Sequence, residues 1–219
     1  AAHPAPLHRY LQPHASQEPH STPQLFKNRN DRLCYYINAY NAAVLAAVLH
    51  AQIPQSMHTH RTRSLDHSYR VVLEGRSNTL ADVRTLAEAQ AKGDVRLVFC
   101  LCDAARGTPP LYEQPLRPIG LEETLRVLAQ KAMDNPNIIR VDHERQRLLL
   151  AVPLFTRRHS FIEFYKRRTG AKEATMLNVV LHLASRVRRQ WLNTAVGYPE
   201  RLIPFDRTLN RWTPPHTTE

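Results

Sequence analysis

The chain has 219 residues, 42% hydrophobic and 22% charged, with 6 Gly, 16 Pro and 3 Cys. These proportions exclude wholesale disorder, a collagen-like repeat and a disulfide scaffold, and the length suits one domain with at most an appended arm. The balance of 30 basic residues, mainly arginine, against 19 acidic ones leaves a formal charge of +11, which favours an anionic ligand, a lipid headgroup or an acidic protein as partner.

In chain order, residues 1–30 carry scattered prolines and histidines, with a short helix expected near Pro6 to Leu11 and loop beyond it. The Ala-Ala start followed by a polar stretch reads equally as the remnant of a cleaved signal peptide or as a truncated start, and the expectation is a periplasmic or secreted bacterial protein, with the cytoplasm left open. His3, His8, His14 and His20 suit no compact ligand set and read as solvated side chains. Asn30 or Asp31 is placed to cap a helix ending before Pro54, on which Leu33, Ile37, Asn41, Val44 and Val48 share one face. No uninterrupted apolar run approaches the roughly 20 residues of a membrane span, and the longest, Ala42 to Leu49, reads as core helix. His58, His60, Asp66 and His67 resemble a zinc set, but a His- and Arg-rich loop produces such spacing by composition, so neither metal nor cofactor is expected.

Tyr69 to Glu74 predicts a strand, Gly75 to Asn78 a turn, and Leu80 to Ala89 a helix stopped by Gly93. The near-continuous apolar run Val95 to Leu101 predicts a central strand buried on both faces. On such a strand Cys100 and Cys102 face one way but are too close to bridge without strain, and Cys34 reads as a small core residue. Asp103 to Pro110 then forms a turn, Leu121 to Met133 an amphipathic helix, and Ile138 to Val141 with Arg147 to Val152 a pair of strands. Ser160 to Arg168 and Lys172 to Asn193 are expected as helices separated by Gly170, the second with a core stripe of Leu177, Leu181, Ala184, Val187 and Trp191. The fold class expected is α+β: a single compact domain over 31–210 with helices around a small, mainly antiparallel sheet, an irregular arm at 1–30 and a tail at 211–219.

Four ordered motifs carry a family resemblance. Arg32-Leu-Cys-Tyr-Tyr-Ile-Asn-Ala-Tyr-Asn41, Gly75 to Val83, Asp94 to Leu111 and Arg201-Leu-Ile-Pro-Phe-Asp-Arg-Thr-Leu-Asn210 resemble segments of the domain of unknown function 547 family. The third resembles that family's Asp-x-Arg-Val-His-Phe-Ala-Leu-x-Cys-Gly-Ala-x-x-Cys-Pro-Pro stretch. The resemblance implies a cysteine-dependent constellation, since a thiolate needs a base and the base a carboxylate. This chain departs at each of those places: the first Cys falls at Asp103, the second at Thr108, the His at Val98 and an Ile-Glu-His at Val83-Arg84-Thr85. Cys-dependent chemistry is therefore expected to be lost.

Asn38, Asn41, Asp103, Arg106 and Thr108 are the candidate ligand-binding residues. Two amides on an apolar helix need polar partners, and a turn leaving a buried segment is a common place for a site. The structural reading of the same residues is a brace of Asn38 and Asn41 onto the 103–110 turn, and a turn-forming Asp103. Asp206 is expected to brace the closing segment. Arg167, Arg168, Arg186 and Arg189 are the candidate anion-binding residues, read otherwise as solvated charges that complement helix dipoles. Exposed interleaved aromatics are not visible, so nucleic acid is an unlikely partner. The functional expectation is a non-catalytic basic binding or interaction protein of the cell envelope. The alternatives are a hydrolase or transferase rebuilt around Asp103, Arg106, Asn38 and Asn41, and a polyanion binder using the Arg clusters.

Overall fold

The computed structural model describes residues 17–50 and 65–210; the expected helix near Pro6, together with His3, His8, His14, His58 and His60, lies outside them. A short 3-10 turn at Pro23–Leu25 leads into α1 (Arg29–His50). Its cap is Asn28, whose side chain accepts from the Asp31 N–H at 3.1 Å while Asp31 accepts from the Asn28 N–H at 2.9 Å. Asn28 therefore displaces Asn30 and Asp31 as the cap, because an acid three residues on lets it close a reciprocal box. Leu33, Ile37, Asn41 and Val44 are buried, and so are Tyr35, Tyr36 and Tyr40 on the other faces. By length and composition α1 is apolar enough to cross a bilayer, which the search for uninterrupted runs missed; 67% of its most apolar window is buried within the fold, where it serves as the central helix.

A hairpin follows the short α2 (Leu65–Ser68): β1 (Arg70–Leu73) pairs antiparallel with β2 (Arg76–Thr79). The turn is Glu74-Gly75, both at positive φ (55° and 66°), so the expected turn at Gly75 to Asn78 is mostly strand. The Tyr36 hydroxyl donates to the Glu74 carboxylate and ties the turn to α1. Thr79 and Asp82 form the capping box of α3 (Leu80–Ala91), which packs along α1. The Arg29 guanidinium donates to the Gln90 and Ala91 carbonyls at its far end.

Val95–Phe99 is a 3-10 helix, not the central strand predicted from its apolar run. Asp94 caps it by accepting from the Arg96 N–H at 3.1 Å, and the Cys100 N–H closes it onto the Leu97 carbonyl at 2.9 Å. Arg96 is the reason. Its guanidinium is 5% exposed and forks onto both oxygens of Asp94 (3.0 and 2.7 Å) and both of Glu122 (2.8 Å each). A charge so buried requires this degree of pairing, and the 3-10 turn lets Arg96 reach Asp94 and Glu122 together. An apolar run fits a buried 3-10 segment as well as a strand, since both lack a polar face.

Glu122 belongs to α4 (Leu121–Asp134). β3 (Ile139–Asp142) and β4 (Arg147–Leu150) form an antiparallel pair, and β5 (Glu200–Leu202) adds parallel to β4. Between them lie α5 (Val152–Thr156), α6 (Arg158–Thr169), α7 (Met176–Leu183) and α8 (Arg186–Leu192). The single helix expected over Lys172 to Asn193 is thus two. Ala184 is extended at ψ 156°, and the Ser185 side chain accepts from the Arg188 N–H at 3.3 Å to start α8. The break resets the helical phase, so Val187 is 79% exposed, and the core side is Met176, Val179, Val180, Leu183 and Leu192. The fold is α+β, with helices around two small sheets.

Candidate functional site

Each amide on α1 makes the same peptide-like contact. Asn41 donates to the Cys100 carbonyl at 2.8 Å and accepts from the Cys102 N–H at 2.9 Å. Asn38 donates to the Leu116 carbonyl at 2.9 Å and accepts from the Leu116 N–H at 2.8 Å. The two amides therefore clamp the chain on either side of the 103–110 turn and do not hold the turn itself. The turn's backbone groups go to the closing segment. The Arg106 N–H donates to the Thr208 carbonyl at 2.9 Å, the Gly107 N–H to the Asp206 carbonyl at 2.8 Å, and the Asn210 N–H to the Ala104 carbonyl at 2.7 Å. A Cβ on Gly107 would lie 2.9 Å from the Phe205 ring and 3.0 Å from the Asp206 backbone, so this approach needs glycine. Asp206 accepts from the Thr208 N–H at 2.8 Å, bracing the segment. Thr108 is buried and donates to the Ala105 carbonyl at 2.8 Å, while the Arg106 side chain is exposed.

Asp103 lies beside α1 and α3. The Tyr40 hydroxyl donates to its Oδ1 at 2.5 Å; the Arg84 guanidinium donates to the same oxygen and to the Tyr40 hydroxyl, and sits 4.9 Å from the Tyr40 ring centre. Burial, then the Asp103 charge, raises the Tyr40 phenol well above its ordinary range. Burial works against the Arg84 charge, yet Asp103, Tyr40 and Asp66 more than offset it, and its pKa is raised. Asp66, on α2, has its carboxyl raised by burial and by Asp103, against the pull of Arg84 and His67. One guanidinium thus contacts a carboxylate and a phenol and feels the charge of a second carboxylate, Asp66. Among the described residues, no group of three or more His, Cys, Asp or Glu could hold a metal ion.

The three thiols are buried and free of disulfides. Burial, with Asp31, pushes Cys34 up to about 12, and burial, with Asp94, pushes Cys100 up to about 12. Burial also raises Cys102, although the Ala104 N–H donates to its Sγ at 3.4 Å. Thiols held this way are protonated at neutral pH and poor nucleophiles. The resemblance puts a glycine at position 104, where Ala104 adopts φ 60°.

The anion-binding candidates lie on two helices, and Arg168 of one and Arg189 of the other both help burial to lower the His182 pKa. Arg167 and Arg168 are on α6, donating to the Gly93 carbonyl at 3.3 Å and to Glu122 at 3.4 Å. Arg186 and Arg189 are on α8, where Arg189 donates to the Ala184 and His182 carbonyls at 3.1 and 3.3 Å and so closes the end of α7. Sequence reasoning missed a further basic face. On the three-stranded sheet Arg140, Leu149 and Arg201 are cross-strand neighbours, and all three arginines of that face (Arg140, Arg147, Arg201) are exposed opposite the buried Ile139, Val141, Leu148 and Leu150. The alternation Arg-Leu-Leu-Leu alone did not reveal which side was wet. Tyr40 was also missed, although it directly precedes Asn41. The signal for the Arg84–Asp103 pair was present: two departures from one pattern that are complementary in charge.

The family model described as "Protein of unknown function, DUF547" matches residues 23–131, from the turn before α1 to the third turn of α4. No curated protein and no solved structure matches the chain. The match holds Asn38, Asn41, Arg84, Asp103, Arg106 and Thr108, and excludes α6, α8 and the three-stranded sheet.

Proposed function

We propose, for a chain that belongs to the DUF547 family, that it acts as a non-catalytic basic binding or interaction protein whose ancestral reaction centre has become a brace. The contact among Arg84, Asp103 and Tyr40 carries this reading. Where the resemblance implies a cysteine and a glutamate, the chain has an acid and a base that neutralise each other, and such a pair offers no nucleophile. The protonated thiols of Cys34 and Cys100 support the same view. A hydrolase or transferase rebuilt around Asp103, Arg106, Asn38 and Asn41 is less supported, because Asp103 and both amides are already engaged by groups of the fold itself.

The partner proposed is an acidic protein or another anionic ligand, met in the bacterial cell envelope, where anionic polymers and headgroups are abundant. The charge of +11 and the exposed face of Arg140, Arg147 and Arg201 support it. The test is calorimetric binding to polyglutamate across a salt series, with the wild type and a variant carrying Cys34→Ala, Cys100→Ala and Cys102→Ala. Affinity should fall steeply with salt and be the same for both proteins. Salt-independent binding, or a thiol-dependent turnover lost in a folded triple variant, overturns the reading. Fractionation of the native cells checks the envelope placement.

A further inference from the structure

A cleft of about 330 Å³ lies away from Asp103, between the end of α3, the Val95–Phe99 turn and one side of α6. Its floor is apolar: Ala91, Val95, Leu97 and Val98. Its wall along α6 carries His159, Glu163 and Arg167 at i, i+4 and i+8, hence on one stripe. Two other lining carboxylates are neutralised by the fold. Asp94 is held through both oxygens by Arg96, and Glu88 receives the Arg157 guanidinium at 2.8 Å.

Glu163 and Arg167 are different. They are not within ion-pair distance of each other. Glu163 has one contact, with Lys166 at 3.3 Å, and Arg167 places Nη2 3.3 Å from the Gly93 carbonyl. A carboxylate has about four acceptor sites and a guanidinium five donors, so both retain capacity toward the cleft. Arg167 packs closely on Gly93: a Cβ there would sit 3.3 Å from Nη2, at a backbone φ of +79°. A cation and an anion one helical turn apart, above an apolar floor, match a ligand carrying both charges and a hydrocarbon group. A bare anion would face the Glu163 carboxylate.

We propose that this cleft binds the zwitterionic end of an amino acid or short peptide with an apolar side chain, its carboxylate on Arg167, its ammonium on Glu163 and its side chain on the floor. This goes beyond the anionic partner proposed above and does not depend on it. The volume falls in the low range of small-ligand pockets.

Calorimetry with L-leucine, N-acetyl-L-leucine and L-leucinamide tests it on the full chain. L-Leucine should bind, and blocking either charge should weaken binding about tenfold or more, the loss expected for one charge-assisted contact. Arg167→Gln should abolish the preference for L-leucine over L-leucinamide. Glu163→Gln should abolish the preference over N-acetyl-L-leucine. Both side chains are solvent-facing, so both variants should fold, as circular dichroism will verify. Equal binding of L-leucine and N-acetyl-L-leucine would make this an anion site and overturn the proposal, as would no binding of L-leucine at millimolar concentration. Salt-dependent polyglutamate binding is read separately, so either proposal can fail alone.

Discussion

The contact set at Asp103 and the cleft along α6 hold similar side chains and differ in what remains for a ligand. At Asp103 the arginine, the tyrosine and the acid engage one another, and the neighbouring amides hold backbone. Along α6 an acid and an arginine face one cavity without meeting. A polar cluster that satisfies itself acts as a fastener, because a ligand would have to replace contacts already made at full strength. A cluster with unfilled donors and acceptors has affinity to offer.

The largest expected effect sharpens the fastener side. Asn41→Leu removes the partner of the Cys100 carbonyl and the Cys102 N–H together, in a buried site, and should cost about 2–3 kcal/mol in urea unfolding. A loss below about 0.5 kcal/mol would mean that the clamp is dispensable. Arg84→Met comes next. The pair is partly solvated, with side chains 25% and 34% exposed, so about 1 kcal/mol is expected. Gaining any hydrolase activity from this change would break the comparison, since Asp103 would then be a masked catalyst.

Ala104→Gly has the opposite sign. At φ 60° a Cβ is strained, and its removal should stabilise by about 0.5–1 kcal/mol, net of the entropy glycine adds to the unfolded chain. The thiols give a separate effect that is confined to alkaline pH. The folded pKa of Cys34 and Cys100, about 12, lies above the ordinary 9.0. The stability this contributes is therefore complete below the unfolded value and is lost as pH rises through the folded one. Urea midpoints should fall between pH 8.5 and 11, less steeply in Cys34→Ala with Cys100→Ala. The smallest effect is on the sheet face: Arg140→Gln with Arg201→Gln should shift stability by no more than about 0.5 kcal/mol while reducing polyglutamate affinity at low salt. A large thermal shift would assign these arginines to the fold.

The sequence was most legible where chemistry is local. The helix at Leu121 to Met133, the strand pair around residue 145 and the boundary at Gly170 all rest on short-range pattern and capping. The α+β class followed from them. Long-range choices were hidden. Arg96 decides the conformation of Val95–Phe99 through Glu122, 26 residues away. The break at Ala184 depends on Ser185, a residue that the apolar stripe passes over. At the site, the need of Asn38 and Asn41 for partners was legible, but the identity of those partners was not, because Leu116 and Cys100 offer only backbone groups.

The pairing of the 104–107 turn with residues 206–210 has a consequence for the order of assembly. A ribosome emits this chain from the N-terminus, and α1, α3 and the Val95–Phe99 turn have emerged about a hundred residues before the strip that completes them. During that interval the amides of Arg106 and Gly107 have only water as partner, and Gly107 lies uncovered. Among the described residues, this pairing therefore joins a turn to a segment made about a hundred residues later. A chain stalled or cut before Pro204 should be recognised by proteases first at Ala104 to Gly107, and proteolysis of nascent chains of increasing length should show protection of that turn arriving abruptly once residue 210 has cleared the exit tunnel.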